Sequence, residues 1–290
     1  MRPYFIINPI AGGGMVNDKF AEARAYMDGR GAEYELVYTE REHQATELAE
    51  QAYANGERFI VAVGGDGTVN EVAAALYGKN DATMGIFPFG TGNDLARALR
   101  LPGEPEEAAE LLLVGSSRLI DIGTANSKPF INVGGLGFDV DVVLNTERFK
   151  NRFHGMMPYM LGIITSLIHM KRVKAVITAD GNAETLDIML CAVANGTHFG
   201  GGMAVAPNAD VTDGLFDVCI IKSAGLLRVL TLLPRFIKGR HLNSKLVKYF
   251  RASEVTIDCD PMPMQLDGEL GMYAPVRFKI LHEALRVVMP

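Results

Sequence analysis

An apolar run, Phe59 to Val63, passes straight into Gly64-Gly65-Asp66-Gly67-Thr68 and then into helical spacing over Asn70 to Leu76, and this succession constrains the fold more than any other feature. Strand, glycine loop and helix in that order aim backbone N–H groups and a helix N-terminus at one spot, where an anion such as phosphate can be held. Glycine is needed wherever a Cβ would keep the backbone off that anion. Taken alone, the run also fits a tight turn that uses Gly and Asp for geometry only. It lacks the Gly-Lys-Ser/Thr ending of a Walker A loop and the Gly-x-Gly-x-x-Gly of a dinucleotide fold.

The same alternation fills the first 125 residues. Strands are predicted over Tyr4 to Asn8, Glu35 to Thr39, Phe59 to Val63 and Thr83 to Phe87, with helices over Phe20 to Asp28, Ala45 to Ala54, Asn70 to Leu76 and from near Leu95. Strands alternating with helices imply a mostly parallel sheet covered on both faces. After Asp121 the texture changes to short Val-, Ile- and Thr-rich runs separated by Gly and Asn: Phe130 to Val133, Ala175 to Ala179, Ile188 to Ala194, Phe216 to Ile221, Glu254 to Cys259 and Val276 to Ile280. These predict an antiparallel β domain with inserted helices at about Met156 to Met170 and Leu226 to Lys238. A length of 290 residues suits two such domains.

Composition narrows the classes. Hydrophobic residues at 48% and charged residues at 21% exclude a disordered chain. Cys191, Cys219 and Cys259 lack Cys-x-x-Cys spacing and read as buried, reduced thiols. The opening apolar run is shorter than a signal-peptide core, and Met156 to Met170 is too short to cross a bilayer, so a cytoplasmic protein is expected. A net charge of −6 argues against nucleic-acid binding, yet residues 222–251 carry eight Lys or Arg and no Asp or Glu. With Leu226, Leu227, Val229, Leu230, Leu232, Leu233, Phe236 and Ile237 interleaved, that segment suits either transient contact with the inner membrane surface or a packed helix with a basic outer face, and Pro234 is expected to interrupt it.

Two further loops follow the order of the first. Asn8-Pro9 with Gly12-Gly13, then Gly64 to Glu71, then Pro88-Phe89-Gly90-Thr91-Gly92-Asn93-Asp94-Leu95-Ala96-Arg97 closely resemble the motifs of the diacylglycerol kinase catalytic domain. Asn195-Gly196 with Gly200-Gly201-Gly202, Pro207-Asn208-Ala209, Asp213-Gly214-Leu215-Phe216-Asp217 and Leu266-Asp267-Gly268-Glu269 look like the second half of that family's bacterial soluble members, so the resemblance covers essentially the whole chain. It implies an ATP-binding α/β domain over 1–124, with 283–290 as candidates to complete it. A β-rich lipid-binding and catalytic domain would follow over 125–282, with the active site in the cleft between them.

The activity implied is transfer of the γ-phosphoryl group of ATP, with Mg²⁺, to the hydroxyl of a diacylglycerol-like lipid, giving phosphatidic acid. Such transfer needs phosphate positioning, a divalent cation and a group that accepts the hydroxyl proton. By resemblance, Asn8, Pro9, Gly12, Thr39, Gly64, Gly65, Asp66, Gly67, Thr68, Asn70, Glu71, Thr91 and Asn93 line the nucleotide site. Asp267 matches the general base, although an Asp-Gly pair alone reads as a hairpin turn. Asp213, with main-chain carbonyls of Asp210 and Leu215, matches the magnesium ligands, and Asp66, Asp94 and Asp121 are expected to join Asp213 in a charged network. Glu269 is a supporting candidate.

Ala11 departs from the family pattern, which often has a small hydroxyl residue before the glycine. His154, His169 and His198 lack metal-ligand spacing, and Met156-Met157-Pro158-Tyr159-Met160 suits an acyl-chain wall or ordinary core. NAD kinase, which shares the Gly-Gly-Asp-Gly-Thr loop, a kinase for a sphingoid base or polyprenol, and a non-enzymatic nucleotide- or lipid-binding regulator are the alternatives. The carboxylates at 66, 213 and 267 weigh against the regulator. A homodimer is left open.

Overall fold

The computed structural model describes residues 2–150, 152, 157–168 and 172–290, so His154, His169 and the ends of the predicted Met156 to Met170 helix lie outside the described residues. The chain divides into two compact units, one of Met1–Ile122, Val211–Asp213 and Leu281–Pro290, the other of Gly123–Asp210 and Gly214–Ile280.

Unit 1 begins with β1 (Tyr4–Ile7), α1 (Met15–Gly29), β2 (Glu35–Tyr38), α2 (Gln44–Ala54), β3 (Phe59–Gly64) and α3 (Asp66–Leu76). It continues with β4 (Thr83–Pro88), α4 (Asp94–Ala98), α5 (Pro105–Val114) and most of β5 (Ser116–Ala125). β1 pairs in parallel with β2 and β3, and β3 in parallel with β4, giving the order β2-β1-β3-β4. β3 and β4 are buried along their whole length, which is why both read as unbroken apolar runs rather than alternating ones. The core centres on Phe5, Phe20, Phe87 and Phe89, with Phe5 5.3 Å from Phe20 and 5.5 Å from Phe87 between ring centroids.

One boundary here departs from expectation. α3 starts at Asp66, so Gly67 and Thr68 belong to its first turn and not to a loop. Glycine discourages helix in its interior but is tolerated in the first turn, where intrahelical bonds are few.

Unit 2 contains β6 (Lys128–Phe130), β7 (Val133–Gly137), α6 (Phe138–Lys150), α7 (Met157–Ile168), β8 (Val173–Ala179) and β9 (Asn182–Ala194). After these come β10 (Phe216–Lys222), α8 (Leu226–Ile237), β11 (Val247–Ala252), β12 (Glu254–Asp258), β13 (Pro263–Leu266) and β14 (Glu269–Tyr273). The last strand, β15 (Val276–Met289), pairs its first residues with β12 in unit 2, and its Val287 pairs with Met84 of β4 in unit 1. The pairing in unit 2 is antiparallel throughout: β14-β13-β7-β9, with β9 also joined to β8 and β10, β10 to β11, and β8 to β12.

β9 explains its own sequence. From Ile188 to Ala194 it is buried on both faces, with Ile188, Cys191 and Val193 in one cluster around Phe216 and Phe278, and Met189, Leu190 and Ala192 in another around Leu232 and Phe236. Two expectations are corrected in this unit. The predicted strand Phe130 to Val133 breaks into β6 and β7, because Ile131 and Asn132 form a bend that other segments clasp. α8 runs through Pro234 to Ile237, since a proline near the last turn removes one N–H without ending the helix. Cys191 and Cys219 are buried, Cys259 half-buried, and all three are free.

Candidate active site

In unit 1 the connection from β1 leads to β2 on one side and the connection from β3 leads to β4 on the other, so the loops leaving β1 and β3 part company. Such a switch point leaves a crevice outside the carboxyl ends of the strands. The motif residues converge there. Asn8, following β1, donates from Nδ2 to Thr68 Oγ1 at 3.1 Å, spanning the two diverging loops. A Cβ on Gly90 would lie 2.2 Å from Gly65 Cα, and one on Gly12 would lie 2.6 Å from the Phe89 carbonyl oxygen. Three glycine segments thus touch through their backbones, an approach that side chains would block.

Most polar side chains of these motifs are engaged in holding the loops. Asp66 accepts the N–H groups of Asn93 and Asp94, each at 2.7 Å, and so caps α4. Asn93, with a left-handed φ of 53°, accepts from Gly90 N–H and donates to the carbonyls of Pro88 and Gly90. Glu71 accepts the Ala45 N–H at 2.8 Å at the start of α2. Thr68 is buried against Gly64. Asn70 is half-buried and Thr91 exposed, while Thr39 bonds through its N–H to the Ile7 carbonyl. What remains for a ligand is largely backbone. Gly67 has no atom within 4 Å of the place a Cβ would take, is exposed, and sits in the first turn of α3. Packing does not require that glycine. The open space lies at the first turn of α3, where the N–H groups of a helix N-terminus and the helix dipole suit an anion.

Asp121, fully buried, accepts from Glu283 N–H and lies 2.8 Å from His282 Nδ1, while its own N–H donates to the Val211 carbonyl at 2.7 Å. It therefore ties β15 and the 211–213 segment to β5. Of the expected four-aspartate network, Asp66 bonds to Asp94, whereas Asp121 meets the Asp213 segment through main chain. Among the described residues no group of three or more His, Cys, Asp or Glu is placed to hold a metal. The expected ligands, the Asp213 carboxylate and the carbonyls of Asp210 and Leu215, are hard oxygens of the kind Mg²⁺ takes.

In unit 2, Asp267 and Gly268 are the two central residues of the β13–β14 hairpin, with φ of 50° and 86°. The hairpin-turn reading of this Asp-Gly pair holds. The Asp267 carboxylate accepts N–H groups from Ile131 at 2.7 Å, Asn132 at 3.0 Å and Val133 at 2.8 Å, and its own N–H donates to the Val133 carbonyl. Asn195 clasps the same bend through the Ile131 and Asn132 carbonyls, while Glu269 lies 3.7 Å from Lys128. The carboxylate is half-buried and fixed in direction.

Two residues of this region escaped the sequence reading. Gln265 accepts from Gly268 N–H at 2.7 Å and donates to Asp139 Oδ2 at 3.0 Å, linking the hairpin turn to the start of α6. Asp139 is 3% exposed, its Oδ1 has no hydrogen-bond partner among the described residues, and burial pushes its carboxyl up to about 6 against the pull of the Gln265 bond. The only signals were an Asp directly after a Gly-Phe pair and Gly135, where a Cβ would strike the carboxylate at 2.1 Å. Asp139 borders an apolar cavity of about 30 Å³ otherwise lined by Phe138, Val142, Met189, Leu190, Phe199, Met203, Ile221 and the inner face of α8. Met157 and Pro158, the described part of the Met-rich run with side chains in view, are not among those residues.

Comparisons with known proteins follow this division. Residues 2–125 match the diacylglycerol kinase catalytic domain, and residues 133–289 match the YegS C-terminal NAD kinase beta sandwich-like domain. A diacylglycerol kinase of Bacillus subtilis (strain 168) is 32% identical over 292 residues, covering 100% of this chain and 96% of the relative. A diacylglycerol kinase of Mycobacterium tuberculosis (strain ATCC 25618 / H37Rv) is 31% identical, covering 98% and 94%. A crystal structure of a candidate diacylglycerol kinase from Bacillus anthracis str. Sterne has a TM-score of 0.83 at 23% identity, covering 100% of this chain and 97% of that one, a likeness of fold. With interlocked glycine loops in unit 1, an anchored Asp-Gly turn in unit 2 and relatives spanning its whole length, the chain belongs to the diacylglycerol kinase family.

Proposed function

We propose that the protein transfers the γ-phosphoryl group of ATP to the hydroxyl of a diacylglycerol-like lipid, producing phosphatidic acid. The observation that carries this reading is the open, exposed Gly67 in the first turn of α3, where backbone N–H groups are available to phosphate oxygens. Asn8, Asp66 and Asn93 act as positioning residues, holding the three loops so that this backbone is fixed before the nucleotide arrives. Asp213, with the carbonyls of Asp210 and Leu215, would hold Mg²⁺, whose charge would offset that developing on the transferred group.

Asp267 is the proton acceptor of the reading. As the lipid hydroxyl oxygen forms its bond to the γ-phosphorus, its proton passes to the carboxylate, and the bond from the γ-phosphorus to the β,γ-bridging oxygen breaks with its electron pair leaving on ADP. The three N–H bonds aim the carboxylate in a fixed direction. A lipid acceptor is supported by the names of the relatives. The sandwich domain named after NAD kinase favours phosphorylation of NAD as a second reading.

The test is label transfer from ATP with Mg²⁺ to detergent-dispersed diacylglycerol, sphingosine, ceramide and undecaprenol, and to NAD. Label in phosphatidic acid is expected. Label in NADP alone would replace the lipid reading, and label in another lipid alone would reassign the acceptor.

A further inference from the structure

α8 has three faces. Val229, Leu232 and Phe236 point inward, line the apolar cavity and are buried. Leu226, Leu230 and Ile237, four and seven residues apart, form an exposed edge at 44%, 44% and 39%, with Leu227 at 80% beside them. Arg228 and Arg235, seven apart and exposed, form the opposite edge. Among the described residues neither arginine has a carboxylate in salt-bridge range, nor do Lys238, Arg240 or Lys245 just beyond the helix.

A soluble helix normally turns its leucines inward and its charges outward, so an exposed leucine edge beside an arginine edge marks a surface with something to meet. The partner must accept apolar side chains and cations together. The segment 222–251 carries eight Lys or Arg and no Asp or Glu in a chain of net charge −6, so the complement is anionic. At 12 residues, or roughly 18 Å, α8 is too short to cross a hydrocarbon core of about 30 Å, and an amphipathic helix of this kind lies in the plane of an interface.

We propose that the outer face of α8 docks the protein on an anionic lipid bilayer, with Leu226, Leu227, Leu230 and Ile237 inserted among the acyl chains and Arg228 and Arg235 at the headgroups. The proposal rests on the lipid-kinase reading for its purpose: α8 then forms the wall between the bilayer and the apolar cavity of unit 2.

Flotation of the full chain with vesicles, without ATP or acceptor lipid, tests it. Wild type is expected to bind phosphatidylglycerol-rich vesicles and not pure phosphatidylcholine, with binding weakened by high salt. Arg228→Ala with Arg235→Ala is expected to weaken binding about 30-fold, and Leu227→Glu about tenfold, with melting temperatures unchanged. Equal binding to neutral vesicles, or binding unaltered in both variants, would overturn the proposal. So would a Leu227→Glu chain that loses self-association while still floating, which would make the face a contact between copies. Binding as expected in a protein that phosphorylates no lipid would remove the kinase reading and leave the docking face standing.

Discussion

In unit 1 polar side chains of the motifs turn toward neighbouring loops and bond there, leaving open space at Gly67; in unit 2 backbone N–H groups hold a side chain, the Asp267 carboxylate, which the proposed function makes the group that meets the substrate. The same elements, amides and carboxylates, exchange roles between the two regions. Backbone suits phosphate, whose several oxygens can each take a donor from a helix N-terminus. A carboxylate suits a hydroxyl, because one proton must be accepted in one direction. Side-chain substitutions should therefore act mainly through structure in unit 1 and directly on chemistry in unit 2.

The largest effect that would sharpen this contrast is in unit 2. Asp267→Asn keeps the size of the side chain and one acceptor oxygen but not the basicity, so turnover should fall by about 10² to 10⁴-fold, measured as initial rates of label transfer. Full activity in that variant would remove Asp267 from the chemistry. Next is Asp139. Its folded-state carboxyl is raised to about 6 by burial, so the unfolded chain loses its proton at lower pH than the folded one does. The residue therefore costs stability progressively as pH rises from about 4 to about 6, on the order of 3 kcal/mol in full above that range. Asp139→Asn should raise the melting temperature relative to wild type at pH 7.5 and have little effect at pH 4, read by thermal unfolding across pH; a gain independent of pH would contradict the assignment.

Smaller effects belong to unit 1. Asp66→Ala strips the cap from α4 and should cost about 2 kcal/mol of unfolding free energy in urea, with nucleotide affinity falling because the loop that carries Gly90 loses its tether. Gly67→Ala should move two quantities in opposite directions. With helical backbone and no neighbour to strike, it should stabilise the fold by about 0.5–1 kcal/mol, while the added methyl weakens nucleotide binding about tenfold. Stabilisation with unchanged affinity would show that phosphate does not approach the first turn of α3.

The sequence was most legible where one local rule decided the outcome. Phe59 to Val63 and Thr83 to Phe87 are buried on both faces, so continuous apolar runs marked β3 and β4 almost residue for residue. Less could be read where tertiary contacts decided. α3 begins four residues before Asn70 because the first turn tolerates a glycine that its own pattern reads as loop. β13 and β14 are short strands of four and five residues around a turn, with a register shift and no clean alternation, so neither stood out. For the site, resemblance to the family's motifs singled out the residues, but no motif says whether an amide such as that of Asn93 faces a ligand or is consumed by its own loop. Asp139 lay outside every motif, and only burial and the Gln265 bond distinguish it from a surface aspartate.

The division of labour between the two regions is the central claim, and the equilibrium affinity of the Asp267→Asn variant for ATP with Mg²⁺ tests it most directly. The account predicts a dissociation constant equal to that of wild type, in a protein whose turnover has collapsed. Affinity lost in step with turnover would contradict it, because the carboxylate of unit 2 would then be part of how the nucleotide is held.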